Sequence, residues 1–185
     1  MSSEKTFKHP IHQMWIMLDQ TYIDISKCQE AAFAKAGVTL QQYRVLMVID
    51  AVKQPVTPTD IAHWLDRNTN SITLIIDRME KIDLVNRIRD LKDRRALRLV
   101  MTPKGKELFD RATAYGLELL ETMMSCCTKE EIETLSHLLG RLREKALEEL
   151  IRDEAARAAR ISWSRDIARH MAMPGIGNEE DISPE

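Results

Sequence analysis

Between residues 84 and 105 the chain reads LVNRIRDLKDRRALRLVMTPKG, and no other stretch constrains the fold as strongly. Two short runs, 84–89 and 96–101, are β-patterned, and the connection 90–95 lies between them. That is the pattern of an antiparallel hairpin. Six basic residues fall within a dozen positions: Arg87, Arg89, Lys92, Arg94, Arg95 and Arg98. Two short amphipathic helical patterns come directly before, so the hairpin reads as an appendage of a helical pair.

A basic hairpin behind a two-helix unit predicts a winged helix-turn-helix. In that arrangement one helix enters the major groove of DNA and the hairpin tip reaches the adjacent minor groove. The long patterns on either side are helical. Over 11–36, Ile11, Trp15, Leu18, Tyr22 and Ile25 recur at steps of four and three and draw one stripe, which Gly37 ends. Thr39-x-x-Gln42 is a capping box for a helix to about residue 52. Thr57-Pro58-Thr59-Asp60 opens another that ends near Leu65. Asp83 stands where the chain turns into the hairpin, and Asp tolerates a left-handed conformation. Thr102-Pro103 opens a long helix to about Cys127, and Thr128-x-x-Glu131 caps the next. That last helix carries Ile132, Leu135, Leu139, Leu142 and Ala146 at near-heptad spacing.

The expected fold is therefore mainly α with a small β-hairpin wing, a winged helix-turn-helix embedded between long dimerisation helices. Residues 1–38 form the N-terminal helix, 39–105 the DNA-binding module, 106–173 the C-terminal dimerisation helices with an extension, and 174–185 a disordered acidic tail. In the extension, Trp163, Ile167 and Met171 form a short apolar stripe expected to fold back on the dimer core or onto the partner subunit.

On a helical wheel the segment 69–82 places Ile72, Ile75, Ile76, Met79 and Ile82 toward the core. The other side presents Asn70, Thr73, Leu74, Asp77, Arg78 and Lys81, with Ser71 at the border. Asn pairs well with adenine, Ser and Thr with several base edges, and Leu74 suits a thymine methyl. Arg78, a turn later, suits a phosphate. A polar face on a short helix ordinarily means solvent; the basic hairpin behind it shifts the reading toward DNA. Asp77 fits a polyanion poorly unless it orients Arg78 or accepts from a cytosine amino group. At the hairpin tip, Arg94 or Arg95 suits a narrow minor groove, with Asp93 holding a guanidinium in place.

The charge distribution agrees. The net charge of −2 divides into 4 basic and 4 acidic residues over 1–39, 12 and 8 over 40–105, and 11 and 17 over 106–185. The middle segment thus carries +4 and suits a polyanion. No run approaches the roughly 18 apolar residues of a membrane span, and no secretory signal is evident, so a cytoplasmic location is expected. Three cysteines, Cys28, Cys126 and Cys127, make no paired framework, and adjacent cysteines rarely bridge each other. His9-x-x-His12 brings two imidazoles near each other without a convincing third ligand, so no metal or other cofactor is expected. No phosphate loop, dinucleotide fingerprint or paired nucleophile and base points to an enzyme.

The order of elements, the helix NSITLIIDRMEKIDLV, the Asp93-Arg94-Arg95 tip and the Leu99-Val100-Met101-Thr102-Pro103-Lys104-Gly105 segment together resemble the MarR family of bacterial transcription regulators. The resemblance covers roughly residues 10–150. It implies a homodimer whose terminal helices pair and whose two winged helices straddle a pseudo-palindromic operator in double-stranded DNA. It assigns the minor-groove arginine to Arg95, its orienting partner to Asp93, and groove-facing positions to Ser71 and Thr73, while Arg94 falls at a variable position. Asp83 departs from the glycine that many members carry.

The resemblance also implies a small, commonly aromatic or phenolic, effector between the dimerisation helices and the DNA module. Met14, Trp15, Leu18, Met47 and His63 are the candidate lining, although a plain core would use the same residues. Peroxide-sensing relatives carry a cysteine near the start of the first helix. Here Trp15 occupies that neighbourhood and Cys28 lies over three turns later, which argues against such sensing. The alternative function is a helical protein-interaction adaptor whose winged helix does not bind DNA.

Overall fold

A computed structural model describes residues 9–52, 56–89 and 97–153. The chain divides into two compact units, Met1–Ser125 and Cys126–Glu185. The first holds five helices and a hairpin among its described residues, in the order α1 (Pro10–Ala36), α2 (Leu40–Val52), α3 (Pro58–Leu65), α4 (Thr69–Lys81), β1 (Val85–Arg89), β2 (Leu97–Met101) and α5 (Pro103–Met124). The second holds α6 (Lys129–Leu150). The mainly helical architecture with a two-stranded hairpin is the one expected. The wing tip and the stripe Trp163, Ile167 and Met171 lie outside the described residues.

Each of the helices α2, α3 and α4 begins where a side chain satisfies an orphan amide. Thr39 and Gln42 exchange hydrogen bonds of 3.2 and 2.8 Å at the start of α2. Thr57 and Asp60 do the same for α3 at 3.1 and 2.8 Å. Asn68, which the sequence pattern did not single out as a cap, accepts from the Asn70 amide at 2.8 Å and starts α4. Two aspartates end these helices in the left-handed region, Asp66 at φ 52° and Asp83 at φ 59°. Asp83 takes the conformation expected of it; Asp66 was not anticipated.

The core of the first unit is centred on α2, whose Tyr43, Val45, Leu46, Met47, Val48 and Ile49 are buried. Tyr43 stacks between Phe33 of α1 and Phe109 of α5, with ring centroids 4.2 and 5.5 Å away. Its hydroxyl lies 3.4 Å from Thr113 Oγ1, and burial raises its pKa above the usual phenol value. Arg111 donates to the Ala36 carbonyl at 2.6 Å, capping the last turn of α1 from α5. Only Ala32, Phe33 and Ala36 of α1 are buried; the helix enters the core by its C-terminal end.

The hairpin pairs Val85 with Met101 through Arg89 with Leu97 in antiparallel register. The segment before α3, expected only as a break around Gln54 and Pro55, adds to it. Val56 bridges Leu99, whose amide donates to the Val56 carbonyl at 2.8 Å. This ties the start of α3 to the wing.

The junction of hairpin and α5 explains the T-P-K-G sequence. Buried Thr102 caps α5 by accepting from the Gly105 amide at 2.9 Å, and its hydroxyl donates to the Asp83 carbonyl at 2.7 Å. The Thr102 amide donates to the Leu84 carbonyl at 3.1 Å. Lys104 reaches back to the Ile82 carbonyl at 2.7 Å. The backbones approach so closely at Gly105 that a Cβ there would stand 2.1 Å from the Leu84 carbonyl oxygen.

Two boundaries differ from the pattern. Ile82 was placed on the core side of the recognition helix, yet it is exposed. The helix ends at Lys81, and Ile82 leaves the helical conformation as its C-cap, so the wheel no longer fixes its direction. The helix expected to reach Cys127 ends at Met124. The Ser125 hydroxyl donates to the Thr122 carbonyl at 2.8 Å, competing with the helical ladder, and Thr128 must be extended to cap α6.

Replacing Gly105 by alanine forces the Leu84 backbone away from α5. We expect Gly105→Ala to lose about 1–3 kcal/mol of unfolding free energy, measured by urea denaturation. A loss no larger than that of Gly116→Ala, whose Cβ would lie 3.1 Å from a Phe33 ring carbon that can shift, would refute this account.

Candidate nucleic-acid interface

Helix α4 divides as its periodicity demands. Ile72, Ile76 and Met79 are buried, and Ile75 is half-buried. On the other side Asn70, Ser71, Leu74, Arg78 and Lys81 are exposed, with Leu74 at 59%. An apolar side chain held this far into solvent beside small polar ones is suited to an apolar spot on a partner, such as a thymine methyl. Thr73 is half-buried, and its hydroxyl donates to the Thr69 carbonyl at 2.9 Å. The oxygen of that hydroxyl keeps acceptor capacity toward a base amino group.

The misfit of Asp77 with a polyanion has a structural resolution that differs from both sequence options. Asp77 pairs with Arg87 of β1 rather than with Arg78. Glu80, one turn on, takes the other arm of the same guanidinium at 2.8 Å. Both carboxylates of the helix are thereby drawn toward the wing, where one partly buried guanidinium offsets part of their charge. Arg87 was counted among six basic residues of the hairpin available to a polyanion. Its charge is committed within the protein, so its contribution is to fix α4 against β1. The signal was present in the sequence: Asp77 and Glu80 sit three apart on one helix edge, directly before a strand with an arginine.

Asp93, Arg94 and Arg95 lie outside the described residues. The five candidate effector contacts all belong to the first unit but differ in depth. Met14 and Trp15 are exposed on α1, Leu18 is half-buried, Met47 is buried in α2, and His63 is exposed on α3. His9, considered with His12 as a metal pair, caps α1: its Nδ1 accepts from the Ile11 amide at 3.3 Å. The two imidazoles meet edge to face with centroids 5.8 Å apart. Among the described residues no helix is long and apolar enough to cross a membrane.

A capped helix with a small polar outer face, backed by a hairpin and held to it by an arginine fork, defines a winged helix-turn-helix protein. Comparison with known proteins narrows the class. Residues 38–97 match the model of the MarR family. The chain is 28% identical to the HTH-type transcriptional repressor MdtR of Bacillus subtilis (strain 168) over 141 residues, covering 69% of this chain and 89% of the relative. It is 28% identical to the homoprotocatechuate degradative operon repressor of Escherichia coli over 130 residues, covering 66% and 87%.

Among solved structures, the organohalide sensing RdhR transcriptional regulator in its 2,4-dichlorophenol bound form matches with a TM-score of 0.68 at 22% identity, over 78% of this chain and 86% of that one. A MarR mutant from E. coli complexed with operator DNA matches at 0.63 and 20%, over 77% and 99%. These two likenesses establish the fold. Beside them, residues 38–97 of the chain are similar to the MarR family, and the curated relatives at 28% identity carry the names of transcriptional repressors.

The fork predicts a stability effect that does not involve DNA. Arg87→Met keeps most of the apolar stem and removes both charge-assisted hydrogen bonds, which we expect to cost about 1–2 kcal/mol. Adding Asp77→Asn and Glu80→Gln to that variant restores most of the loss, as seen by urea denaturation. Additive losses across the three substitutions would show that the fork contributes nothing as a unit.

Proposed function

We propose that the protein is a sequence-specific DNA-binding transcriptional regulator, a ligand-responsive repressor that acts as a homodimer on a pseudo-palindromic operator. The observation that carries this reading is the outer face of α4, where Asn70, Ser71, Leu74 and Arg78 are exposed while Asp77 is tied back to Arg87. Asn70, Ser71, Thr73 and Leu74 read base edges in the major groove, and Arg78 holds a phosphate. Arg95 enters the minor groove with Asp93 orienting it, and Arg94 supports the wing on the backbone. The names of the curated relatives are those of transcriptional regulators, which supports a binding role over an enzymatic one.

The homodimer rests on apolar surface. The N-terminal half of α1 exposes Ile11, Trp15, Met17 and Tyr22, and α6 exposes Leu135, Leu138, Leu139 and Leu142. Such stripes are costly in water and are the natural material of a helical dimer interface. In that assembly 1–38 and 106–173 supply the dimerisation helices and 39–105 the DNA module. The same assembly brings Met14, Trp15, Leu18, Met47 and His63 toward a crevice for a small aromatic effector, a reading supported by the dichlorophenol bound relative. A cytoplasmic location follows from the role.

Selection of duplexes from a random library, with titration of the winner at several salt concentrations, tests the proposal. A palindromic consensus with half-sites about one helical turn apart and a steep salt slope is the expected result. Arg95→Ala and Asn70→Ala should each weaken binding to that duplex by about 1–3 kcal/mol with folding intact, and Arg78→Ala should reduce the salt slope by about one. Arg95→Ala without effect, or no enriched sequence with or without phenolic ligands, would favour the adaptor. For the dimer, sedimentation of Leu139→Asp should show a lower mass than the parent chain. An unchanged mass would place the interface elsewhere.

A further inference from the structure

Cys126 and Cys127 occupy the connection between α5, which ends at Met124, and α6, which begins at Lys129. Cys126 is exposed and Cys127 half-buried, and their sulfur atoms stand 3.7 Å apart. The DNA-reading face uses neither. We propose that Cys126 and Cys127 form a binding site for a trivalent arsenical, held between the two sulfurs as a chelate.

The separation is the first argument. Two sulfurs bonded at about 2.3 Å to one trivalent, pyramidal centre with an angle of about 100° lie about 3.5 Å apart, within a few tenths of an ångström of the separation seen here. The observed 3.7 Å therefore presents both donors at chelating distance. It is far from the roughly 2.05 Å of a disulfide, so the pair stands as two thiols. Residues 125–127 lie outside regular helix, which leaves their backbone free of the helical ladder.

The thiol chemistry is the second. Oxidation by peroxides proceeds through thiolate. The hydrogen bond between the Cys127 thiol and the neighbouring Cys126 sulfur raises Cys127 above its ordinary value, with desolvation and the charges of Cys126 and Glu131 acting in the same direction. That disfavours thiolate and leaves reactions available to the protonated thiols. Condensation with an arsenic-bound hydroxyl is one. Each S–H proton leaves with a hydroxyl as water, two As–O bonds break, two As–S bonds form, and no atom changes oxidation state.

Stoichiometry is the third. A monosubstituted trivalent arsenical keeps its carbon substituent, so two thiols complete its valence. The second bond is intramolecular, with an effective concentration on the order of millimolar or more. Cys28, on α1 and distant in sequence, has no adjacent cysteine and forms at most one such bond.

Intact-mass spectrometry of the reduced full chain with phenylarsine oxide tests the site. The expected product is one phenylarsenic adduct per chain that survives ~1 mM monothiol and is removed by a dithiol. Cys126→Ser and Cys127→Ser should each lose the monothiol-resistant adduct, and Cys28→Ser should retain it. Circular dichroism checks that the serine variants are folded. Resistance that persists in either serine variant of the pair, or an adduct that the monothiol strips from the parent chain, overturns the assignment.

Discussion

The first unit depends on one close contact, the place where the backbone of Leu84 runs against the first turn of α5. Gly105 leaves no side chain there, and Thr102 completes the contact by serving two partners, its own helix through the Gly105 amide and the preceding turn through the Asp83 carbonyl. A buried hydroxyl is tolerated because both its donor and acceptor functions are used. Three elements meet at this point: the end of α4, the start of β1 and the start of α5. The left-handed turn at Asp83 is what delivers the chain to it, and the Lys104 bond to the Ile82 carbonyl closes the outer edge.

From that anchor, the charge of the reading surface is set by pairing rather than by count. The segment 40–105 carries a surplus of basic residues, yet Arg87 is spent on Asp77 and Glu80 and Lys104 on a carbonyl. What the pairing achieves is the withdrawal of two carboxylates from the face of α4. An unpaired Asp77 beside a phosphate would oppose binding through Coulomb repulsion. Held by Arg87, it braces the helix against the strand, so the same ion pair serves both orientation and charge.

Much of this was legible in the sequence because it rests on local rules. Thr39, Thr57, Thr102 and Thr128 cap the helices they were expected to cap, and Asp83 turns left-handed where a turn was needed. The periodicity of Ile72, Ile76 and Met79 gave the buried side of α4 correctly. The misses are non-local or terminal. The Val56 bridge to Leu99 joins residues 43 positions apart, which no short pattern reveals. The Arg87 fork needs the strand folded onto the helix. Ile82 failed because a wheel assumes a helix that had already ended. Of the candidate site, the exposure of Asn70, Ser71, Leu74 and Arg78 on α4 followed from the period, while Thr73 and Asp77, placed on the same side, are half-buried; the candidate effector lining was not readable, because it depends on how separate helices meet.

The arrangement of α5 joins these themes. Its N-terminal turn is bolted to the wing junction through Thr102 and Gly105, and its middle packs on α1 and α2 through Phe109, Thr113 and Gly116. Arg111 between them holds the last carbonyls of α1. One continuous helix therefore touches both the hairpin junction and the helix whose other half exposes apolar side chains. Packed interiors transmit displacement because they have no slack to absorb it. A shift of α1 relative to α5 has to be taken up by the Phe33–Tyr43–Phe109 stack or passed along α5 to the wing. An added Cβ at Gly105 would stand 2.1 Å from backbone, whereas one at Gly116 would stand 3.1 Å from a ring carbon of Phe33, so the wing junction is the stiffer end and the stack the softer one.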